Sequence, residues 1–299
     1  MNDSRSSNGS SPVDRQSTES GLLYIVATPI GNLSDITQRA IDTLREVDLI
    51  LAEDTRHTKP LLRHFAVNTR TQAFHDHNEQ AQLGNMIEKL QAGQNIALVS
   101  DAGTPLISDP GYGLVHAAQQ AGLTVIPIPG ACAVIAALSA SGLPTDQFYF
   151  AGFTPAKSQQ RLSFLRGYLE QTATLVFYES SHRVLDSLRD CVAVFGQRQA
   201  TLARELTKKF ETIRTATLPE LHGFVAADDN QRRGEFVIII QGQSKSAVGD
   251  DQAEIERTLT ILLAELPVSQ AVDLTVKLLG VKKNAVYKLA LQLDKNKPS

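Results

Sequence analysis

The sequence predicts an α/β protein with two α/β units followed by a helical tail. Short runs rich in β-branched residues alternate with longer helical patterns, which is typical of α/β architecture. A chain of 299 residues is long enough for one large domain or two smaller ones, each with a buried core. The predicted parts are an N-terminal arm at 1–20, one α/β unit at 21–145, a second at 146–241, a linker at 242–252 and a helical tail at 253–292.

The first unit is predicted to contain five strands that alternate with helices. The strands are expected in LLYIVAT, VDLILAE, residues 69–74, NIALVS and LTVIPI. The first helix is expected to begin near Asp35 with Ser34 as its cap, because a serine oxygen accepts a hydrogen bond from the free amides at a helix start. Further helices are predicted at 54–65, 78–92, 112–122 and 130–142.

The second unit is predicted to add five strands and two helices. The strands are DQFYFAGF, ATLVFYE, ATLARE, KKFETIRTAT and GEFVIII, and the helices cover residues 156–170 and 181–195. The tail contains three helical patterns, EIERTLTILLAEL, SQAVDLTVKLLG and VKKNAVYKLALQL. A short turn at Gly280 separates the last two, which indicates a helix-turn-helix-like arrangement, although an amphipathic pair with a solvated lysine face explains the pattern equally well.

Composition and charge restrict the class of protein. The chain is 42% hydrophobic and 20% charged, as expected for a folded globular protein, and it has no apolar run approaching the roughly 18 residues of a membrane helix. Seven serines in the first twenty residues predict a disordered arm rather than a signal peptide. Cys132 and Cys191 give neither a disulfide framework nor a zinc spacing, which indicates a reducing cytoplasm. At a net charge of −3, local basic patches would have to hold any nucleic acid.

Three loops rich in glycine and proline each follow a predicted strand and precede a helix. They are TPIGNLSD at 28–35, SDAGTPLISDPG at 100–111 and PIPGACA at 127–133. Ligands of open parallel sheets bind at the carboxyl ends of the strands, where such loops converge. Asp101 and Asp109 add acceptors for a ribose hydroxyl or a cationic group. Glycine and proline are also ordinary turn formers, but three such loops at one edge favour a ligand site.

Other familiar sites are absent from the sequence or weakly indicated. No G-x-G-x-x-G follows the first strand and no G-x-x-x-x-G-K-[ST] occurs, which argues against an NAD enzyme and a P-loop ATPase. The segment HDHNE could ligate a metal through His75, His77 and Glu79. Such clusters are more often solvated loops, so no metal site is assigned.

The loops belong to a longer series of motifs that resembles the tetrapyrrole methylase superfamily. In chain order, from about residue 21 onward, the motifs are IVATPIGNLSDIT, ILAEDTRHT, LVSDAGTPLISDPG, IPGACAVIAAL, VFYESSHR, ARELTKKFE and GEF. Within the superfamily they are most similar to the branch that methylates the 2′-oxygen of a cytidine in 16S rRNA. The resemblance implies two α/β domains with S-adenosylmethionine in the cleft between them, no metal, and a homodimer. It also implies a decoding-centre cytidine of 16S rRNA as substrate; both free 16S rRNA and the 30S subunit, which is the favoured partner, stay open as the form in which it is bound.

The resemblance also indicates where the cofactor binds. Its contacts would fall on the three loops and on two strands of the second unit, at Pro29, Ile30, Asp101, Gly103, Thr104, Pro105, Cys132, Ala133, Tyr178 and Phe236. Cys132 is expected to form part of the pocket wall rather than act as a nucleophile, because its neighbours Ala131 and Ala133 offer no acid or base.

The acceptor would be a ribose hydroxyl, which is too weakly acidic to ionise at neutral pH. A general base would help, although late proton loss to water is chemically possible. The candidate catalytic residues are Glu53, Asp54, Glu179 and Glu205. Each can equally be a helix-capping acid or an ion-pair partner of Arg56, Arg183 or Lys208, and the sequence leaves the four open.

Binding of RNA requires local positive charge. Phosphate contacts by basic side chains would set the register and make binding salt-dependent. The predicted RNA-binding residues are Arg56, His57, Lys59, Arg183, Arg204, Lys208, Lys282, Lys283 and Lys288. Phe153, Tyr178 or Phe210 could stack on an unpaired base. The tail is either an RNA-binding module or a brace of the dimer, and its four lysines between 277 and 288 favour RNA.

Two alternative functions remain at this point. One is another methylase of the same fold, acting on a tetrapyrrole or a protein. The other is a non-catalytic RNA-binding factor in ribosome assembly. The lysine-bearing tail and the segment AEDTRHT favour the rRNA branch over the first, and the intact loops favour an enzyme over the second.

Overall fold

The structure is a computed structural model that describes residues 20–243 and 252–295. The predicted arm, apart from Ser20, and most of the predicted linker lie outside the described residues. Within the described ranges, no helix combines the length and apolar character that crossing a membrane requires.

The first half of the chain forms a parallel sheet of five strands in the order β3-β2-β4-β1-β5. Each predicted strand and helix of this half is present, mostly shorter by a residue or two at its ends. The elements are β1 Leu23–Val26, α1 Gln38–Glu46, β2 Leu49–Ala52, α2 Thr55–His64, β3 Thr71–Ala73, α3 Asp76–Gln91, β4 Ile96–Val99, α4 Tyr112–Gln120, β5 Val125–Ile128 and α5 Ala133–Ser141.

Helices cover both faces of this sheet because its strands are apolar on both sides. One core cluster includes Leu44 of α1 and Leu62 of α2, and the opposite cluster includes Leu90 of α3 and Leu114 of α4. β1 and β4 lie side by side, but the chain leaves β1 toward β2 on one side and leaves β4 toward β5 on the other. Ligands of open α/β sheets bind at such a reversal, and here the first two predicted loops flank it.

The predicted start of the first helix is wrong. Asn32 caps a separate 3₁₀ turn, Leu33–Asp35, by accepting a hydrogen bond from the backbone amide of Ser34 at 3.0 Å. Extended backbone at Ile36 then interrupts the helical path. Thr37 caps α1 through a hydrogen bond from the Ala40 amide at 3.1 Å. The 3₁₀ turn separates the loop after β1 from α1, so residues 28–35 lie at the edge of the sheet.

The second half forms a mixed sheet of five strands in the order β6-β7-β10-β8-β9, in which the β6–β7 pair is parallel and the other pairs are antiparallel. The helix α8, Leu218–Ala227, is absent from the elements predicted above. Thr217 and Glu220 form its capping box, in which the Thr217 amide donates to the Glu220 carboxylate at 2.9 Å. The elements are β6 Phe148–Phe153, α6 Ser158–Arg166, β7 Thr174–Ser180, α7 Val184–Phe195, β8 Gln199–Arg204, β9 Thr212–Thr217, α8 Leu218–Ala227 and β10 Glu235–Ile240.

Helix α5 of the first half packs on the second sheet. Val134 and Leu138 of this helix pack with Val176, Val237 and Ile239, which lie on one face of the second sheet. Helices α6, α7 and α8 cover the other face. Because α5 follows the third predicted loop, its packing fixes that loop between the two sheets.

The tail consists of three helices, as predicted, and has a core of its own. They are α9 Gln252–Glu265, α10 Val268–Leu279 and α11 Lys283–Lys295. Leu259, Val272 and Val286 are fully buried in their common cluster. Gly280 ends α10 with a φ of 66°, a conformation that glycine adopts without strain, and this turn brings α11 back across α10.

Candidate functional site

A cleft of about 460 Å³ lies between the two sheets, and both halves of the chain line it. The first half supplies residues from the ends of β1, β2 and β4 and from the start of α5: Ile30, Glu53, Asp101, Ala102, Gly103, Thr104, Ile107, Ser108, Asp109, Cys132 and Ala133. The second half supplies Phe153, Tyr178, Glu179, Ser180, Ser181, Leu206, Gly234, Glu235, Phe236 and Val237. This volume is within the range of small-molecule sites.

Hydrogen bonds fasten the three predicted loops to one another. The Thr28 amide donates to the Gly103 carbonyl at 2.8 Å, and the Gly103 amide donates back to the Thr28 carbonyl at 3.0 Å. The Thr104 hydroxyl donates to the Ala131 carbonyl at 3.0 Å. The loops therefore form one preorganised wall of the cleft, as their positions after parallel strands predicted.

The middle loop has an unusual backbone. Leu106 and Ser108 adopt left-handed conformations, with φ of 71° and 68°. Gly111 ends the loop at a φ of 119°, where a β-carbon would lie 2.4 Å from the side chain of Leu98. Strained backbone concentrates at functional sites, where the surrounding structure holds it in place. Nothing in the residue types of Leu106 and Ser108 signals this conformation.

The second sheet contributes the apolar wall of the cleft. Tyr178 lies against Phe150 and Phe153, with ring centroids 4.8 and 5.4 Å apart, and Val237 continues this face on the adjacent strand β10. The ring of Phe236 packs on the opposite face of the sheet, with α6, α7 and α8. Burial raises the pKa of the Tyr178 phenol above its usual range, so that the ring is neutral at physiological pH. This wall offers flat, uncharged surface to a ligand.

The side chains that line the cleft carry negative charge. Five carboxylates line it and no lysine, arginine or histidine is among the described lining residues; the acids are Glu53, Asp101, Asp109, Glu179 and Glu235. Arg183 neutralises Glu179 at 2.9 Å and Lys208 neutralises Glu235 at 2.7 Å. In the described chain, no ion pair reaches Glu53 or Asp109. The cleft is therefore suited to a ligand that carries positive charge.

Burial and mutual repulsion shift two of these carboxyls. Burial, followed by repulsion from Asp101, raises the pKa of Glu53. Burial, followed by repulsion from Glu53, raises the pKa of Asp109 to about 6. Perturbed carboxyls in a cleft are typical of functional sites.

Asp101 is fixed at the mouth of the cleft from two sides. One carboxylate oxygen accepts a hydrogen bond from the Asp54 amide at 3.0 Å, and the other lies 2.9 Å from Nδ1 of His57. This hydrogen bond to the carboxylate raises the pKa of His57. Asp101 thus links the acidic cleft to the exposed start of α2.

Most of the predicted cofactor residues meet in the cleft. Pro29 and Pro105 lie in the same loops but do not line it. The others do: Ile30, Asp101, Gly103, Thr104, Cys132, Ala133, Tyr178 and Phe236. Their roles as cofactor contacts stay a prediction.

The structure separates the four candidate bases. Glu53 lines the cleft, and its nearest hydrogen-bond donor is the Asp101 amide at 3.5 Å. Asp54 caps α2, and the hydrogen-bonded Arg56 guanidinium holds its pKa well below the usual range. Glu205 lies outside the described lining and pairs with Lys208 at 2.9 Å. Asp54 and Glu205 are therefore poorly placed to accept a substrate proton.

Glu179 is a structural carboxylate despite its position on the cleft wall. It is buried and accepts hydrogen bonds from the hydroxyls of Thr154 and Ser187, the amide of Ser180 at 2.7 Å and Arg183 at 3.0 Å. With both oxygens occupied, it has no free position for a substrate proton. These contacts favour the alternative that Glu179 is an ion-pair partner of Arg183, and its role as a base stays a prediction.

One predicted RNA contact lies inside the protein, and its role stays a prediction that its position disfavours. Arg204 is buried, and its guanidinium donates to the carbonyls of Arg233 at 2.6 Å and Phe210 at 3.0 Å, which leaves it unavailable to a phosphate. Arg183 and Lys208 are engaged by the acids named above. The other predicted RNA contacts lie on exposed helix surfaces, at Arg56, His57, Lys59, Lys282, Lys283 and Lys288.

Asp109 was expected only as a hydrogen-bond acceptor. Nothing in the motif SDPG indicates that burial and the charge of Glu53 raise its pKa. The acidic residue of the HDHNE segment has a structural role. Glu79 accepts a hydrogen bond from the Leu114 amide at 3.0 Å and so binds α3 to the start of α4. In the ranges that the structure describes, no three His, Cys, Asp or Glu side chains form a metal site.

Comparison with known families gives two matches. The family of tetrapyrrole (corrin/porphyrin) methylases matches residues 22–222. A family described as the RsmI C-terminal HTH domain matches residues 249–294, which includes the tail.

Individual proteins and structures are similar over most of the chain. A protein named ribosomal RNA small subunit methyltransferase I from Escherichia coli O157:H7 is 57% identical over 273 residues, covering 91% of this chain and 95% of that protein. The protein of the same name from Pseudomonas aeruginosa is 53% identical over 277 residues, covering 91% and 97%. The crystal structure of the methyltransferase CobJ superposes with a TM-score of 0.56 at 18% identity, covering 75% of this chain and 95% of that one, and this likeness concerns the fold alone.

Proposed function

We propose that this chain, which belongs to the tetrapyrrole (corrin/porphyrin) methylase family, methylates the ribose 2′-oxygen of a decoding-centre cytidine in 16S rRNA. The chain is an S-adenosylmethionine-dependent rRNA methyltransferase. The choice of nucleotide and of oxygen is the proposal. The observation that supports it best is the separation of charge: the cleft is acidic, whereas exposed basic residues lie outside it.

The cleft fits the methyl donor in shape and charge. When bound, S-adenosylmethionine supplies an electrophilic methyl group attached to a positively charged sulfur. Glu53, Asp101 and Asp109 provide negative charge for the sulfonium and ammonium groups. The apolar surfaces of Ile30, Leu206 and Val237 are suited to the adenosine. Because the loops are already bonded to one another, little conformational freedom is lost when the donor binds.

Positioning accounts for most of the catalysis that we assign to this cleft. Methyl transfer requires the acceptor oxygen directly behind the methyl carbon, in line with the bond that breaks. The loop that carries Asp101 and Asp109 is fastened to its neighbours at Thr28 and Ala131, so it can hold both reactants in a fixed relation.

Basic residues outside the cleft are proposed to hold the RNA backbone. Arg56, His57 and Lys59 lie on the exposed start of α2, and His57 contacts Asp101 at the cleft mouth. Phosphates bound there would bring a ribose to the cleft without entering its acidic interior. Exposed lysines of the tail would extend the same contact.

We further propose the assembly and place of action. The substrate is 16S rRNA in the 30S subunit, the enzyme is a homodimer, and both meet in the cytoplasm. The two sheets support a division into domains at 21–145 and 146–241, with α5 of the first packed on the sheet of the second.

The experiment supplies radiolabelled S-adenosylmethionine to 30S subunits that lack the native methylation. We expect label in 16S rRNA with the wild-type protein and a loss of most label with Asp101→Ala. Label found in a tetrapyrrole or protein instead of RNA would mean that this molecule, and not 16S rRNA, is the methyl acceptor. If the protein binds the donor but transfers no methyl group to 30S subunits, free 16S rRNA or total RNA, the proposed acceptor is wrong. If it binds RNA but not the donor, it is an assembly factor.

A further inference from the structure

We propose that Phe210 and Lys209 form a binding surface for single-stranded RNA beside the cleft. The ring of Phe210 stacks on an unpaired base next to the methylated nucleotide, and Lys209 contacts the phosphate of the same strand. The inference deepens the proposed function and rests on it, since it takes 16S rRNA as the acceptor. Neither the family match nor the names of the relatives assign this surface.

The loop between β8 and β9 carries both residues to the cleft. The two strands are paired antiparallel up to this loop, so residues 205–211 form a hairpin loop at one end of the second sheet. Leu206 of the hairpin loop lines the cleft. The same loop lies against the loop after β1, where a β-carbon on Gly31 would be 2.4 Å from Cγ of Lys208. The hairpin loop therefore contacts both halves of the chain at the edge of the proposed donor site.

Hydrogen bonds and backbone geometry restrain this hairpin loop. The Arg204 guanidinium donates to the Phe210 carbonyl at 3.0 Å, and the Thr207 amide donates to the Glu211 carboxylate at 2.6 Å. Glu205 and Thr207 adopt left-handed conformations, with φ of 51° and 65°. Such conformations are costly for residues other than glycine and concentrate at functional sites. A restrained loop presents its side chains to a ligand with little loss of conformational entropy.

The loop leaves an aromatic ring and an ammonium group exposed side by side. Phe210 is 64% exposed, and Nζ of Lys209 lies 5.5 Å from the centre of its ring. Lys208 is held by Glu205 and Glu235, but no salt bridge within the described residues engages Lys209. A single exposed phenylalanine is ordinary on a protein surface. This one is distinguished by its place on a restrained loop, next to the cleft and to an uncompensated positive charge.

A ring beside a cation matches the chemistry of an unpaired nucleotide. An exposed aromatic side chain stacks on the flat face of any base, and a neighbouring lysine binds the backbone phosphate. The carboxylates of the cleft repel phosphates, so the strand on either side of the target ribose must be held outside the cleft. The hairpin loop provides such a contact without adding positive charge to the donor site.

The other aromatic residues that the sequence left open belong to the cleft itself. Tyr178 and Phe153 line it and lie against each other, with ring centroids 5.4 Å apart. Their rings form part of the wall that we assign to the donor. Arg204, which was expected to contact RNA directly, instead fixes the backbone of Phe210 from inside the protein. Phe210 is therefore the one of the three placed for a base outside the donor site.

The first experiment measures KM for 30S subunits and donor affinity in single-site variants. Phe210→Ala should raise KM about tenfold and leave donor affinity unchanged, because the lost stacking acts on RNA alone. Phe210→Trp should keep the wild-type KM, whereas Phe210→Leu, which is apolar but has no flat ring, should resemble Phe210→Ala. The matched control is Phe148→Ala, which removes a 44% exposed ring at the far end of the second sheet and should leave KM unchanged. A wild-type KM in Phe210→Ala or in Phe210→Leu would overturn the stacking.

Salt dependence tests the phosphate contact separately. Lys209→Gln should reduce the slope of log affinity for 30S subunits against log salt by about one, because one phosphate contact is lost. Phe210→Ala should weaken binding without changing this slope, since stacking releases no counterions. An unchanged slope in Lys209→Gln would overturn the phosphate contact.

A crosslinking experiment locates the surface on the RNA. The variant Phe210→benzoylphenylalanine is irradiated with 30S subunits, and the crosslinked nucleotide is mapped by primer extension. We expect crosslinks to 16S rRNA within a few nucleotides of the position that takes up label from the wild-type protein. Crosslinks only to a second copy of this chain, or only to RNA remote from the labelled position, would overturn the inference. Absence of label with the wild-type protein would instead refute the proposed function, so the two failures are distinguishable.

Discussion

At the scale of single residues, Asp101 is held in place by protein contacts on both of its oxygens. Its bonds to the Asp54 amide and to His57 fix the position of the carboxylate. It is therefore a fixed negative charge at the cleft mouth, and a cationic ligand is held there more strongly than a neutral one.

We expect Asp101→Asn to weaken binding of S-adenosylmethionine by about tenfold. Binding of the neutral product S-adenosylhomocysteine should change much less, because it lacks the sulfonium charge. Isothermal titration of both ligands measures the difference. Asp186→Asn, which changes an exposed carboxylate on α7, is the matched control, and equal losses for the two ligands would argue against a charge-based role.

A second residue-scale prediction concerns stability. Arg161 is 2% exposed and forms a salt bridge with Asp190 at 2.7 Å, so its charge belongs to the core between α6 and α7 rather than to the surface. Arg161→Met removes the close partner of the buried Asp190 and leaves it only the hydroxyl of Ser158 at 2.9 Å and Arg189 at 3.7 Å. This change should lower the free energy of unfolding by about 3 kcal/mol. Urea denaturation measures this loss. The exposed Arg166→Met, at the end of the same helix, should change stability little.

At the scale of elements, the loop between β4 and α4 is the one most constrained by its backbone. Gly111→Ala places a methyl group against Leu98 at a φ of 119°, and should destabilise the protein by about 2 kcal/mol or more. Thermal unfolding with and without the methyl donor is the measurement.

Gly84 in α3 provides the control for this substitution. Its β-carbon would meet nothing within 4 Å, so Gly84→Ala should stabilise the protein by about 0.5–1 kcal/mol. Destabilisation of similar size in both variants would show that the Gly111 conformation is not the cause.

The tail gives a prediction about RNA. Lys282 and Lys288 are exposed, whereas Lys283 pairs with Asp273 at 2.6 Å. The double variant Lys282→Glu and Lys288→Glu should weaken binding to 30S subunits and make that binding less salt-dependent, with donor affinity unchanged. Lys89→Glu on α3 is the control. Unchanged 30S affinity in the double variant would favour the tail as a dimer brace.

At the scale of the whole molecule, periodicity predicted the strands of both sheets because apolar runs and turn residues are local signals. It missed α8, whose capping box at Thr217 and Glu220 precedes a segment without clear amphipathic spacing. Loop positions predicted the cleft, because carboxyl ends of parallel strands must share one edge.

The states of individual side chains were less predictable. The burial of Arg204 and Glu179 depends on partners distant in the chain, and the shifted pKa of Asp109 depends on Glu53 across the cleft. Residue type and local spacing contain no information about such partners. The sequence therefore predicted where the cleft lies better than which of its carboxylates is free to react.

The central claim is that methyl transfer from this cleft reaches a ribose 2′-oxygen in 16S rRNA. Its most direct test is alkaline hydrolysis of 16S rRNA recovered from 30S subunits after incubation with radiolabelled donor. A methylated 2′-oxygen cannot attack the neighbouring phosphate, so label is expected in an alkali-resistant dinucleotide that begins with cytidine. Label released in ordinary mononucleotides would place the methyl group on a base and rule out transfer to the ribose.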